Sequence, residues 1–151
     1  MTRQKGFSLI ELLIVVAIIL IIAAIAVPNL MKSKMAANES SAVGSIRTII
    51  TSELTYSSTN PGTGYTTLGN LYSAGLLDSV LGAGSKSGFS FSLGTSSDTP
   101  TSQFTVAAGP ITPGTTGTNY YCADQTAVIQ RGATSFSTGT NPCTGGTPIG
   151  Q

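Results

Sequence analysis

The hydrophobic pattern divides this chain into three regimes. From Phe7 to Val27 there is no periodicity: 21 consecutive residues, of which only Ser8 and Glu11 are not apolar. A helix that is apolar on every side belongs inside a large core or a membrane. At 1.5 Å per residue this one would span about 31 Å, close to the hydrocarbon thickness of a bilayer. Pro28 then interrupts the run. It removes one helical hydrogen bond and crowds the preceding turn, which predicts a kink at that point. After Pro28 the pattern becomes helical: Met31, Met35, Val43, Ile46, Ile50 and Leu54 recur on one stripe, with Lys32, Lys34, Glu39, Arg47 and Glu53 mostly off it. The stripe predicts a face packed on a globular head. "SSTNPGTG" at 57–64 is dense in helix breakers and ends the element. One helix from residue 7 to 57 would be about 75 Å long.

The third regime has short units. "TTLGNLYSAGLLDSVL" predicts a short helix and a packed turn around Leu68, Leu71, Tyr72, Leu76 and Leu77. "GFSFSLG" and "QFTVAAG" alternate with period two, placing Phe89, Phe91 and Leu93, then Phe104 and Val106, on one face. "YYCAD" and "AVIQRG" flank a short turn near Gln125 and Thr126 and read as a hairpin. The expected fold class is α+β: a long N-terminal helix packed against a small antiparallel sheet of about four strands.

Composition narrows the function classes. The 151 residues suit one domain, the net charge is +1 and only 9% of residues are charged. That balance gives no footprint for nucleic acid or for a polybasic membrane surface. There is no histidine, so the commonest general base and metal ligand is missing. No Ser/His/Asp set, Cys/His pair or phosphate loop is present, which argues against an enzyme. Asp78, Asp98 and Asp124 are scattered, and no Asp/Asn-dense segment suggests calcium. Two cysteines without histidine are too few for a structural zinc site. Five Phe and five Tyr invite the idea of electron transport along stacked rings, but packing and surface contact explain them more simply. No cofactor is expected.

The beginning of the chain carries the most specific signal. Arg3 and Lys5 precede the apolar run, so that end is expected to stay cytoplasmic and the rest to lie across the membrane. "AAIA" at 23–26 offers the cleavage site of an ordinary secretory signal. Yet the order Lys-Gly-Phe-Ser-Leu-Ile-Glu followed by an apolar run resembles the class III signal of type IV prepilins and pseudopilins, closely over residues 5–29. An acid at membrane depth costs about 2.5–3.5 kcal/mol on insertion scales, so a retained Glu11 calls for a use.

The resemblance implies cleavage between Gly6 and Phe7 by a prepilin peptidase and N-methylation of Phe7. It makes Glu11 the family's assembly charge and Pro28 the helix kink. It divides the chain into a leader (1–6), a transmembrane and filament-core half-helix (7–28), an amphipathic half-helix (29–57) and a β-sheet head (58–151). It further implies a helical homopolymer, driven by an inner-membrane platform protein and an assembly ATPase. The subunit would wait in the inner membrane, N-terminus cytoplasmic and head periplasmic, and end in an extracellular pilus. An oxidising compartment favours a Cys122–Cys143 disulfide, like the C-terminal loop of pilins, closing the Gly/Thr-rich tail for roughly 3 kcal/mol. The alternative is a pseudopilin of a type II secretion system, which shares the whole N-terminal signal. The cysteine pair and the missing calcium site point to a pilin. A minor pilin for adhesion or DNA uptake would need a binding patch, which Lys86 and Arg131 alone do not make.

Overall fold

A computed structural model describes residues 6–138 and 143–150. It divides into two compact units, Met1–Lys34 and Met35–Gln151, and both contain part of helix α1, Leu9–Thr59. α1 runs through Pro28 without interruption. Because proline lacks an N–H, the Ala24 carbonyl loses its helical donor there.

In the second unit α1 is followed by two short helices, α2 (Leu68–Ser73) and α3 (Ser79–Gly82). Each begins with a side-chain cap: Thr67 accepts from the Asn70 amide and Asp78 from the Leu81 amide. Among the described residues six strands follow: β1 (Ser85–Lys86), β2 (Phe89–Thr95), β3 (Phe104–Pro110), β4 (Tyr120–Asp124), β5 (Ile129–Gly132) and β6 (Thr147–Ile149). They form one antiparallel meander in sequence order. The four strands expected from alternation are β2 to β5. The sheet has six because a two-residue and a three-residue strand extend its edges, too short to show a period. β1 and β2 are joined by Ser87-Gly88, both at positive φ (50° and 75°), which is the two-residue turn that matches sheet twist.

The core lies between the inner face of this sheet and α1. Phe89 and Phe91, then Phe104, Val106 and Ala108, then Tyr121, Ala123 and Ile129 point inward, in phase across the strands. They meet Ala42, Ile46, Ile49 and Ile50 of α1, with Leu71, Leu77 and Leu81 at one end. The predicted stripe is therefore slightly rotated. Leu54 is exposed at 45%, while Glu53 is fully buried. Glu53 follows Ala42, Ile46 and Ile49 at helical spacing, so position outranked polarity.

The outer face is covered as well. Thr105, Ala107, Cys122 and Asp124 point outward by register yet are buried. The chain after β5 lies over them. Cys143 is joined to Cys122 by a disulfide (Cα–Cα 6.0 Å), and the Thr138 carbonyl occupies the space where a Cβ on Gly94 would sit. This explains why β3 is buried on both faces along nearly its whole length.

Candidate functional site

Within the first unit, the apolar run is exposed on all sides. Phe7 is 82% exposed, and large side chains from Leu9 to Leu30 stand in the open all around the helix. Its most apolar stretch has a mean hydropathy of 3.3 and is 0% buried within the protein. By length and composition this is one helix able to cross a membrane. The candidate site is therefore this exposed apolar surface.

Its N-terminal end has a definite local geometry. Ser8 precedes the first helical residue, and its carbonyl accepts the Leu12 amide at 3.2 Å, as an N-cap residue does. Three residues on, Glu11 turns back and its Oε2 accepts the Ser8 amide at 2.9 Å. Ser8-Leu9-Ile10-Glu11 thus fits the capping-box pattern, and the Glu half of the box is formed. The carboxylate also sits at the positive end of the helix dipole, which favours an anion by about 0.3–1 kcal/mol. This cap was legible as S-x-x-E in the sequence, but reading Glu11 for its charge alone passed over it.

Gly6 and Phe7 precede the helix in exposed, irregular backbone, and a side chain on Gly6 would meet nothing within 4 Å. Arg3 and Lys5 lie outside the described residues. Pro28 lies inside α1, well beyond the cap. Cys122 and Cys143 belong to the second unit, where the disulfide joins them.

The second unit also contains three carboxylates that sequence reasoning left unassigned. Glu39 accepts five hydrogen bonds: from the Thr118 and Asn119 amides (2.7 and 3.1 Å), the Thr118 hydroxyl, the Asn119 side-chain amide and the Tyr121 hydroxyl. Burial raises its pKa, but these donors outweigh burial and hold the carboxyl below its usual range. In turn burial, the Glu39 charge and the shared hydrogen bond push Tyr121 up to about 12. Asp124 accepts from the Thr126 amide and hydroxyl on one oxygen and from the Cys143 amide on the other. Glu53 is fully buried with one amide donor, Thr66 at 3.0 Å, and its Oε1 has no partner among the described residues.

Residues 1–27 match the family described as the prokaryotic N-terminal methylation motif. The type IV major pilin protein PilA of Myxococcus xanthus is 45% identical over 54 residues, 36% of this chain and 24% of that protein. PilA4, the type IV wide pilus major component of Thermus thermophilus, is 56% identical over 39 residues, 26% of this chain and 30% of that protein. The matched region thus spans less than a third of the length of these relatives. No solved structure matches.

Proposed function

We propose, from the premise that the chain belongs to the type IV pilin family, that it is the structural subunit of a type IV pilus. In this reading it polymerises through the apolar half of α1 and performs no catalysis. The observation that carries the proposal is the segment Phe7–Val27, apolar on all sides, exposed in the single copy and headed by Glu11, whose carboxylate caps the helix start. It contains fifteen large apolar side chains. At about 2 kcal/mol each, exposing them to water would cost on the order of 30 kcal/mol. Such a surface must pass from lipid to other apolar helices, and Ala17, Ala23, Ala24 and Ala26 permit close approach. The pseudopilin alternative is not favoured, since the similar proteins are pilus components.

The finer assignments belong to the same proposal. A prepilin peptidase cuts the exposed Gly6–Phe7 bond and methylates Phe7. The precursor waits in the inner membrane with its N-terminus cytoplasmic and its head, residues 58–151, periplasmic. A platform protein and an ATPase then move it into an extracellular fibre. The Phe7 amine of an incoming subunit meets Glu11 of one already assembled. An opposite pair about 4 Å apart gains about 4 kcal/mol at an effective dielectric of 20, and any other register leaves a buried charge unmatched.

The test is mass spectrometry of sheared surface filaments, combined with two variants. The subunit should begin at methylated Phe7; a filament subunit that retains Met1 refutes the reading. Glu11→Gln keeps an acceptor for the Ser8 amide, so its membrane pool should match wild type while fibre yield falls at least about tenfold, the equivalent of roughly 1.4 kcal/mol. Glu11→Ala also loses the hydrogen bond to the Ser8 amide, weakening the first helical turn by about 0.5–1.5 kcal/mol. Normal fibre yield from Glu11→Gln would show that the charge does not set the register.

A further inference from the structure

The disulfide is not the only link between the tail and the sheet. Three side-chain hydrogen bonds converge on the backbone at and just after Cys143. Asp124 Oδ2 accepts the Cys143 amide at 3.1 Å. The Gln130 side-chain amide donates to the Cys143 carbonyl at 2.6 Å, and its Oε1 accepts the Gly146 amide at 3.0 Å. Gln130 thus holds the tail backbone at two points. Asp124 is itself fixed: its other oxygen is occupied by the Thr126 amide and hydroxyl, at 2.9 and 2.6 Å. Both residues share the outer face with Cys122, which stands opposite Gln130 in the β4–β5 register. The β5–β6 pairing continues the contact through Thr147, Pro148 and Ile149.

We propose that Asp124 and Gln130 are positioning residues for disulfide formation: they dock the tail on the sheet and present Cys143 to Cys122 before the sulfurs are joined. None of the three bonds involves a sulfur atom, so each is available to the reduced chain. A docked tail raises the effective concentration of one thiol at the other. Oxidation with glutathione disulfide then runs in two exchanges. One protein thiolate attacks a glutathione sulfur, and glutathione leaves with the electron pair of the broken S–S bond. The second protein thiolate attacks the protein-side sulfur of this mixed disulfide and releases a second glutathione. Two protein thiols lose two electrons, and one glutathione disulfide becomes two thiols that take up the two protons. Docking bears on the second exchange, ring closure, because only that step needs both cysteines in place.

The experiment uses the mature chain in detergent micelles, reduced, freed of reductant and exposed to glutathione disulfide. Acid-quenched samples are separated by mass into dithiol, mixed-disulfide and closed forms. Gln130→Ala removes two of the three bonds and should slow closure about tenfold or more. Formation of the mixed disulfide should stay within about twofold of wild type. Gln130→Glu keeps the acceptor for Gly146 and loses the donor to Cys143, so its closure should be intermediate. Ser92→Ala, on the same face and outside the docking bonds, should close like wild type. A second measurement stands apart from the chemistry. In Cys122→Ser, which cannot form the bond, the amides of Cys143 and Gly146 should still exchange more slowly than free peptide. Equal closure rates in Gln130→Ala and wild type, or full-speed exchange of both amides in Cys122→Ser, would overturn the proposal.

Discussion

Glu53 makes the stability of the second unit depend on pH in an unusual direction. Its side chain is fully buried on α1, one oxygen accepts the Thr66 amide at 3.0 Å, and the other has no partner among the described residues. Burial raises its pKa from 4.5 to about 7, against the smaller opposing effect of the Thr66 bond. In the unfolded chain the group ionises near 4.5, whereas in the folded chain it stays protonated to about 7. Between those values the folded state binds more protons, so stability falls as pH rises. The slope is about 1.4 kcal/mol per pH unit, and over the whole window the loss approaches about 3 kcal/mol. It is absent below pH 4.5 and complete above pH 7. Glu53→Gln removes the ionisation and keeps an acceptor for Thr66. At pH 5 the variant should match wild type or lose about 1 kcal/mol for its unpaired amide. At pH 8 it should be more stable by about 2 kcal/mol. Urea unfolding of the mature chain in detergent, followed by circular dichroism from pH 4.5 to 8.5, measures the difference. Other groups titrate alike in both proteins and cancel. A difference between variant and wild type that stays constant across that range would refute the reasoning.

Two further substitutions probe the packing of the second unit. Glu39→Ala removes the acceptor of five hydrogen bonds and should cost about 1–3 kcal/mol, read as faster amide exchange at Thr118 and Asn119. Because the Glu39 carboxyl is held below its usual range, its contribution is present above pH 4.5 and is lost as pH falls further, so the variant should converge on wild type in acid. Gly117→Ala would place a Cβ 2.6 Å from Cζ of the fully buried Phe89 and should lower stability by about 1–3 kcal/mol in urea unfolding; an unchanged midpoint would show that the ring can yield.

What was legible in the sequence follows from the range of the interactions involved. The apolar run and the alternating strands are patterns within about 20 residues, and both place their elements correctly. β1 and β6 are too short to carry a pattern, and the Ser87-Gly88 turn that joins β1 to β2 was not read from the sequence. The rotation of the α1 stripe was hidden because Leu54 is apolar and Glu53 is not, while burial followed the angle around the helix. Glu39 was unreadable for another reason. Its donors lie 79 to 82 residues away in sequence, and nothing local distinguishes it from a solvated glutamate. The same holds for Asp124, whose bond to the Cys143 amide crosses 19 residues.

Glu11 combines both kinds of information. As a local signal, Ser8-x-x-Glu11 specifies a helix start, and the structure forms its Glu half. As a charge at the head of an apolar run, it forms no ion pair among the described residues, and in the proposed filament its partner is the amine of a second copy. The two roles are compatible, because a carboxylate has about four acceptor positions and the Ser8 amide fills one. The cap also restricts the side chain to the first turn, so less rotamer freedom remains to be lost when a cation arrives. Its place at the helix N-terminus sets the charge near the end of the apolar span, where an acid is tolerated better than at mid-span. A carboxylate moved one turn further into the run would lose the cap, the favourable end of the dipole and the shallow depth together. The position of Glu11, and not only its charge, is therefore what the proposed assembly role requires: a carboxylate held at the head of the run with acceptor positions to spare.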